Sequence, residues 1–262
     1  MPWISMEILA ALPVFALVLF RLSGLMLTGP VLSSTVIPRQ VRIAFTAVLA
    51  LMLFPVVRGQ APADLTLSMV MAGAFGELII GVTIGLGLAL LFTGVEVGGL
   101  MIGQQAGIAL GRVFNPIQNQ QTTLTGQVYS LVLVLVFLLA GGHRAMIAAL
   151  LDTFEVIPML SRGFDSSVVV LLAEMLASAF ILAIRLAAPV LIALMMTSLA
   201  LGFLSRTMPQ LNILSVGFQV RLMVGLSVAA LAIGASEDVM LGAIWDGLEA
   251  IRTSFGLDPI HG

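Results

Sequence analysis

Four ionisable residues, Glu77, Glu96, Glu174 and Arg185, stand inside long apolar stretches of this 262-residue sequence. A charge at the centre of a lone membrane helix costs about 2.5–3.5 kcal/mol on insertion scales, so each one needs a partner. Two chemistries fit these residues. Carboxylates and an arginine in apolar surroundings can relay protons or ions, and the same groups can pair charges between the subunits of a large assembly. Glu174 and Arg185 lie eleven residues apart, on one helical face but about 16 Å along it, so they cannot pair with each other. Their partners belong to other helices or other chains.

Composition removes most other chemistry. The chain has no cysteine, which excludes disulfides, thiolate metal sites and cysteine nucleophiles. Every basic residue is an arginine, so a P-loop, a Schiff-base lysine and a Ser-Lys dyad are impossible. The two histidines, His143 and His261, cannot make a histidine-rich metal site. No HExxH, GxSxG or GxGD pattern is present. Asp152, Glu155 and Asp165 read as a solvated, mildly acidic loop. No enzyme activity and no cofactor are expected. The net charge of −2 gives no reason for a nucleic-acid partner.

The elements that must position these residues are helices. The chain is 60% hydrophobic and 9% charged, whereas a soluble domain carries about 25% charged residues. A polytopic membrane protein of all-α class follows. Ile8–Thr28 is long enough to cross a bilayer. Glu7 and the lack of an early positive charge make it a retained helix, not a cleaved signal. Val41–Val57 is the second span. Leu65–Leu110 runs about 45 residues without proline, close to twice the hydrocarbon thickness, and is expected to be two helices or one that leaves the bilayer. Val128–Ala140 and Ala145–Leu151 follow. Residues up to Asp165 hold the internal boundary. Val168–Phe203 and Ile213–Gly234 form a hairpin around a tight polar turn, Ser205–Asn212. The tail Glu237–Arg252 places Met240, Ile244, Leu248 and Ile251 on one face, as a helix docking on partner subunits or the membrane interface would. Arg39, Arg42 and Arg206 mark the cytoplasmic side.

The longest interruption of the apolar pattern is residues 98–127, GGLMIGQQAGIALGRVFNPIQNQQTTLTGQ. Gly99, Gly103, Gly107 and Gly111 recur every fourth residue and strip one helical face, which lets another backbone come very close. Phe114, Asn115 and Pro116 are expected to break the helix. A neutral polar run from Gln118 to Thr125 follows. Non-helical backbone of this kind cannot face lipid. Two readings remain: a loop between two membrane helices, or a re-entrant element lining a water-filled passage.

Residues 202–221, GFLSRTMPQLNILSVGFQVR, resemble the signature of the FliR/SctT family, the export-gate subunit of flagellar and injectisome type III secretion. The match is the core Ser205–Asn212, S-R-x-x-P-Q-L-N, followed by Gly217–Phe218. Residues 103–116, GQQAGIALGRVFNP, resemble the family's glycine-rich segment. The resemblance implies one copy of this chain with about five FliP-like and about four FliQ-like subunits in a helical assembly around an export channel. It implies a FliP-like part, residues 1–162, and a FliQ-like hairpin with its tail, residues 163–262. It places a plug in the channel at about residues 108–119, with Ile108, Leu110, Val113, Phe114, Asn115 and Pro116. Many members carry phenylalanines where this chain has Leu110 and Val113. The turn with Ser205, Arg206, Pro209, Gln210 and Asn212 would lie at the cytoplasmic entrance, near an FlhB-like switch protein. Glu77, Glu96, Glu174 and Arg185 would be buried inter-subunit charges. Unfolded flagellar substrates and membrane lipid complete the expected partners, and the expected place is the bacterial inner membrane. The flagellar branch is preferred to the injectisome branch. A stand-alone secondary transporter, using Glu77, Glu96 and Arg185 as a relay, is the other reading.

Overall fold

The computed structural model describes residues 2–34, 36–57, 67–108, 123–160, 166–208 and 213–258. All regular structure among them is helical. In chain order the helices are α1 (Pro2–Thr28), α2 (Arg39–Val57), α3 (Leu67–Gln105), α4 (Leu124–Leu139), α5 (Gly142–Val156), α6 (Ser166–Thr207), α7 (Ile213–Ala235) and α8 (Glu237–Ser254). Four of the described helices are long and apolar enough to cross a membrane: α2, α3, α6 and α7. A fifth span results if the broken pair α4–α5 counts as one.

The contacts divide the chain into two compact units. One holds Met1–Leu90, Gly141–Leu176 and Trp245–Gly262, the other Leu91–Ala140 and Ala177–Ile244. In the first, Leu17, Leu22 and Leu25 of α1, Ile84 of α3 and Leu150 of α5 are fully buried. Phe15 and Phe54 join α1 to α2 edge to face, with ring centroids 6.2 Å apart. Arg252 of α8 donates to Asp152 of α5 at 2.5 Å. In the second, Phe92 meets Phe137 edge to face at 5.4 Å, and the Tyr129 hydroxyl donates to the Ala229 carbonyl at 3.3 Å.

Local chemistry sets the helix ends. Thr123 caps α4: its backbone is extended and its Oγ1 accepts the Gly126 N–H at 3.2 Å. Gly141, with φ 74°, separates α4 from α5. After α5, Ile157 is extended, as the residue before Pro158 must be.

Of the two forms expected of Leu65–Leu110, the structure has the single helix, since α3 is unbroken over 39 residues. Three expectations need correction. The helix ends at Gln105 rather than near Pro116, because Gly107 takes φ 83° and turns the chain out of it. Ser205 and Arg206 lie in the last turn of α6, not in a non-helical turn. The Ser205 hydroxyl donates to the Gly202 carbonyl at 2.7 Å and Met208 N–H to the Leu204 carbonyl at 2.9 Å, so helical bonding continues until Pro209, which has no N–H to offer. The apolar face of α8 is not left for partners or lipid either. Met240, Ile244, Leu248 and Ile251 are all buried within the chain.

Candidate functional site

The most buried polar group of the first unit is an ion pair. Arg21 of α1 donates from Nε to Oε2 of Glu77 on α3 at 2.5 Å, with both side chains out of contact with solvent. Arg21 also donates from Nη1 to the Thr153 hydroxyl at 3.1 Å and from Nη2 to the Ile157 carbonyl at 3.4 Å. Its guanidinium lies over the Phe154 ring, 4.0 Å from the centroid. The other carboxylate oxygen of Glu77 accepts the Leu160 N–H at 3.2 Å. Every charged atom of the pair therefore has a partner, the condition under which a buried pair is tolerated.

The helices bring these residues together because they approach backbone to backbone. A Cβ on Gly81 would strike the Arg21 carbonyl, and one on Gly24 would strike the Leu78 carbonyl. Leu160 closes the cluster in a left-handed conformation, φ 68°. That conformation costs a leucine about 1–2 kcal/mol, less than a good hydrogen bond to a buried carboxylate returns.

Glu77 thus corrects an expectation. Its partner is in its own chain, so it is not an inter-subunit charge. Arg21, the other half of the pair, is not among the candidate residues expected from the sequence. The available signal was that it interrupts the first apolar span: a lone arginine in one apolar helix and a lone glutamate in another balance each other.

The other lone charges differ. Glu174 and Arg185 are exposed on α6, and Glu96 is half-buried on α3. None of the three has an ionic partner among the described residues. On α6 the exposed neighbours are apolar, including Val170, Phe180, Ile181 and Ile184.

In the second unit, Gly99 and Gly103 do make the close approach expected of a glycine face. A Cβ on Gly99 would lie 2.5 Å from the Gly126 Cα, and one on Gly103 would lie 2.6 Å from the Thr125 hydroxyl. Thr125 donates to the Gly99 carbonyl at 2.7 Å, so the end of α3 and the start of α4 are pinned together. Gly94 and Gly98 serve α6 in the same way, against Ala179 and Ala183. Gly107, at φ 83°, turns the chain out of the helix. Of the expected plug, Ile108 is half-buried just past that end. Leu110, Gly111, Val113, Phe114, Asn115 and Pro116 lie outside the described residues, as do Pro209, Gln210 and Asn212 of the expected entrance turn.

Comparison with known proteins agrees with this all-helical chain. The family model described as Bacterial export proteins, family 1, matches residues 12–246. The flagellar biosynthetic protein FliR of Pectobacterium carotovorum subsp. carotovorum is 32% identical over 209 residues, 79% of this chain and 78% of its own length. FliR of Escherichia coli K12 is 29% identical over 215 residues, 81% of each chain. FliR of Bacillus subtilis 168 is 29% identical over 223 residues, 83% of this chain and 85% of its own. With a match over most of its length to both the family and its flagellar representatives, the chain belongs to the FliR family of bacterial export proteins.

Proposed function

We propose that this chain is a core subunit of the flagellar type III export gate. In this reading it helps form the channel through which unfolded flagellar proteins cross the bacterial inner membrane. The observation that carries the reading is the family match over residues 12–246. The surface supports it: apolar side chains stand exposed along α2 and α6, and Glu174 and Arg185 stand among or near them without a counter-charge among the described residues. Such a surface suits a subunit surrounded by lipid and by other chains.

About five FliP-like and about four FliQ-like subunits would be the neighbours, in a helical arrangement that does not close on itself. Residues 1–162 would pack in the manner of a FliP-like chain and residues 163–262 in that of a FliQ-like one. Pro209, Gln210 and Asn212, with Arg206 at the end of α6, would face an FlhB-like switch protein at the cytoplasmic entrance. Ile108 to Pro116 would plug the channel. The pinned helix ends at Gly99, Gly103 and Thr125 favour this placement, because they hold the two ends of the intervening stretch close together. An apolar constriction closes a pore by excluding water.

The test of the plug is deletion of residues 110–115 in cells making the whole gate. The deletion leaves Gly99, Gly103 and Thr125 in place. Assembled gate that leaks small ions, read as sodium-dependent growth arrest or as ion flux in membrane vesicles, is the expected result. Assembled gate that stays ion-tight contradicts the plug assignment.

A further inference from the structure

The residues that follow α5 hold an arrangement that the export function does not call for. Ile157, Pro158, Met159 and Leu160 meet α1 at one point and α3 at two. The Ile157 carbonyl accepts from Arg21 of α1, the Leu160 N–H donates to Glu77 of α3, and the Leu160 side chain lies in the space that Gly73 of α3 leaves open. Met159, between them in the chain, is buried, 6% exposed. Leu160 is held at φ 68°, a conformation that leucine leaves once nothing holds it.

We infer that residues 157–160 are a strap latched to α3 by the buried Arg21–Glu77 pair, able to lift when the latch is undone. One carboxylate does both jobs. Oε2 holds Arg21, and Oε1 holds the strap. Displacing Glu77 therefore frees the Leu160 N–H and leaves the Arg21 charge buried without its counter-charge, held only by Thr153, Phe154 and the Ile157 carbonyl, and the left-handed leucine relaxes. Gly73 is the second catch, because the Leu160 side chain occupies the place where a side chain on that residue would stand. A conformational step is built from two elements that separate at a defined latch. This inference does not depend on the channel reading.

The chain has no cysteine, so Met159→Cys supplies a single buried thiol within the strap. The rate of its modification by a maleimide is measured on the full chain, in membranes of cells that co-express the FliP-like and FliQ-like chains. With the latch intact, labelling is slow. Glu77→Ala raises the rate about tenfold or more, as local opening becomes frequent. Gly73→Leu, whose side chain is too bulky for a turn of the Leu160 side chain alone to make room, raises it as well while leaving the ion pair untouched. Because leucine favours a helix interior over glycine, this second variant decides the matter even if Glu77→Ala fails to accumulate. A labelling rate unchanged in Gly73→Leu overturns the inference, as does a slow rate in an accumulated Glu77→Ala protein.

Discussion

At the scale of single residues, the charges sort by burial. Glu77 has a fully buried partner in Arg21, whereas Glu174 and Arg185 face outward. Removing one member of a buried pair strands the other, at a cost of about 3–5 kcal/mol. Glu77→Ala is therefore expected to lower the melting temperature and yield of the co-purified complex far more than Glu174→Ala destabilises this chain's own fold. Replacing both members, Arg21→Met with Glu77→Leu, is expected to regain much of the loss. It stops short of full recovery because the Leu160 N–H is left without its acceptor, a penalty of about 1–3 kcal/mol. Equal melting temperatures for Glu77→Ala and the unaltered chain would refute the pairing. The need for partners was legible in the sequence for all four lone charges. Which of them is satisfied inside the chain was not, because spacing along one helix says nothing about which second helix lies alongside.

At the scale of elements, α3 is the most buried of the long helices: 56% of its most apolar stretch is buried, against 17% for α2 and 17% for α7. Glycines make that burial possible, and they do so on several faces. Gly81 admits α1, Gly94 and Gly98 admit α6, and Gly99 and Gly103 admit the start of α4. Gly99→Ala, which forces a methyl group onto Gly126, is expected to destabilise by about 1–3 kcal/mol. Gly242→Ala on α8, where nothing lies within 4 Å, is expected to stabilise by up to about 1 kcal/mol through helix propensity alone. Thermal unfolding of the purified complex separates the two, and destabilisation of equal size would contradict the seam. The apolar spans were legible in hydrophobic runs, and the close-packing role of Gly99 and Gly103 in their spacing. The end of α3 was not. Proline is visible as a breaker in sequence, whereas the left-handed turn of Gly107 ends the helix earlier by a backbone choice that its neighbours do not announce. The apolar stripe of α8 was equally legible, but a stripe fixes only that a face is covered, not whether the cover is another chain or the chain itself.

At the scale of the whole molecule, large apolar side chains remain exposed on α2, α3, α6 and α7, among them Ile43, Met52, Phe75, Ile184, Phe203 and Met223. Lipid can cover such residues, whereas Glu174 and Arg185, without an ionic partner among the described residues, favour further protein around this chain. The family signature at residues 202–221 points the same way, although half of its core Ser205–Asn212 and most of the expected plug lie outside the described residues. The measurement that bears most directly on the central claim is native mass spectrometry of the chain expressed with and without its FliP-like and FliQ-like partners. The account predicts one copy of this chain in a complex with about five FliP-like and about four FliQ-like subunits, and aggregation or degradation when it is made alone. Stable, monodisperse chain in detergent that binds neither partner on co-expression would contradict it.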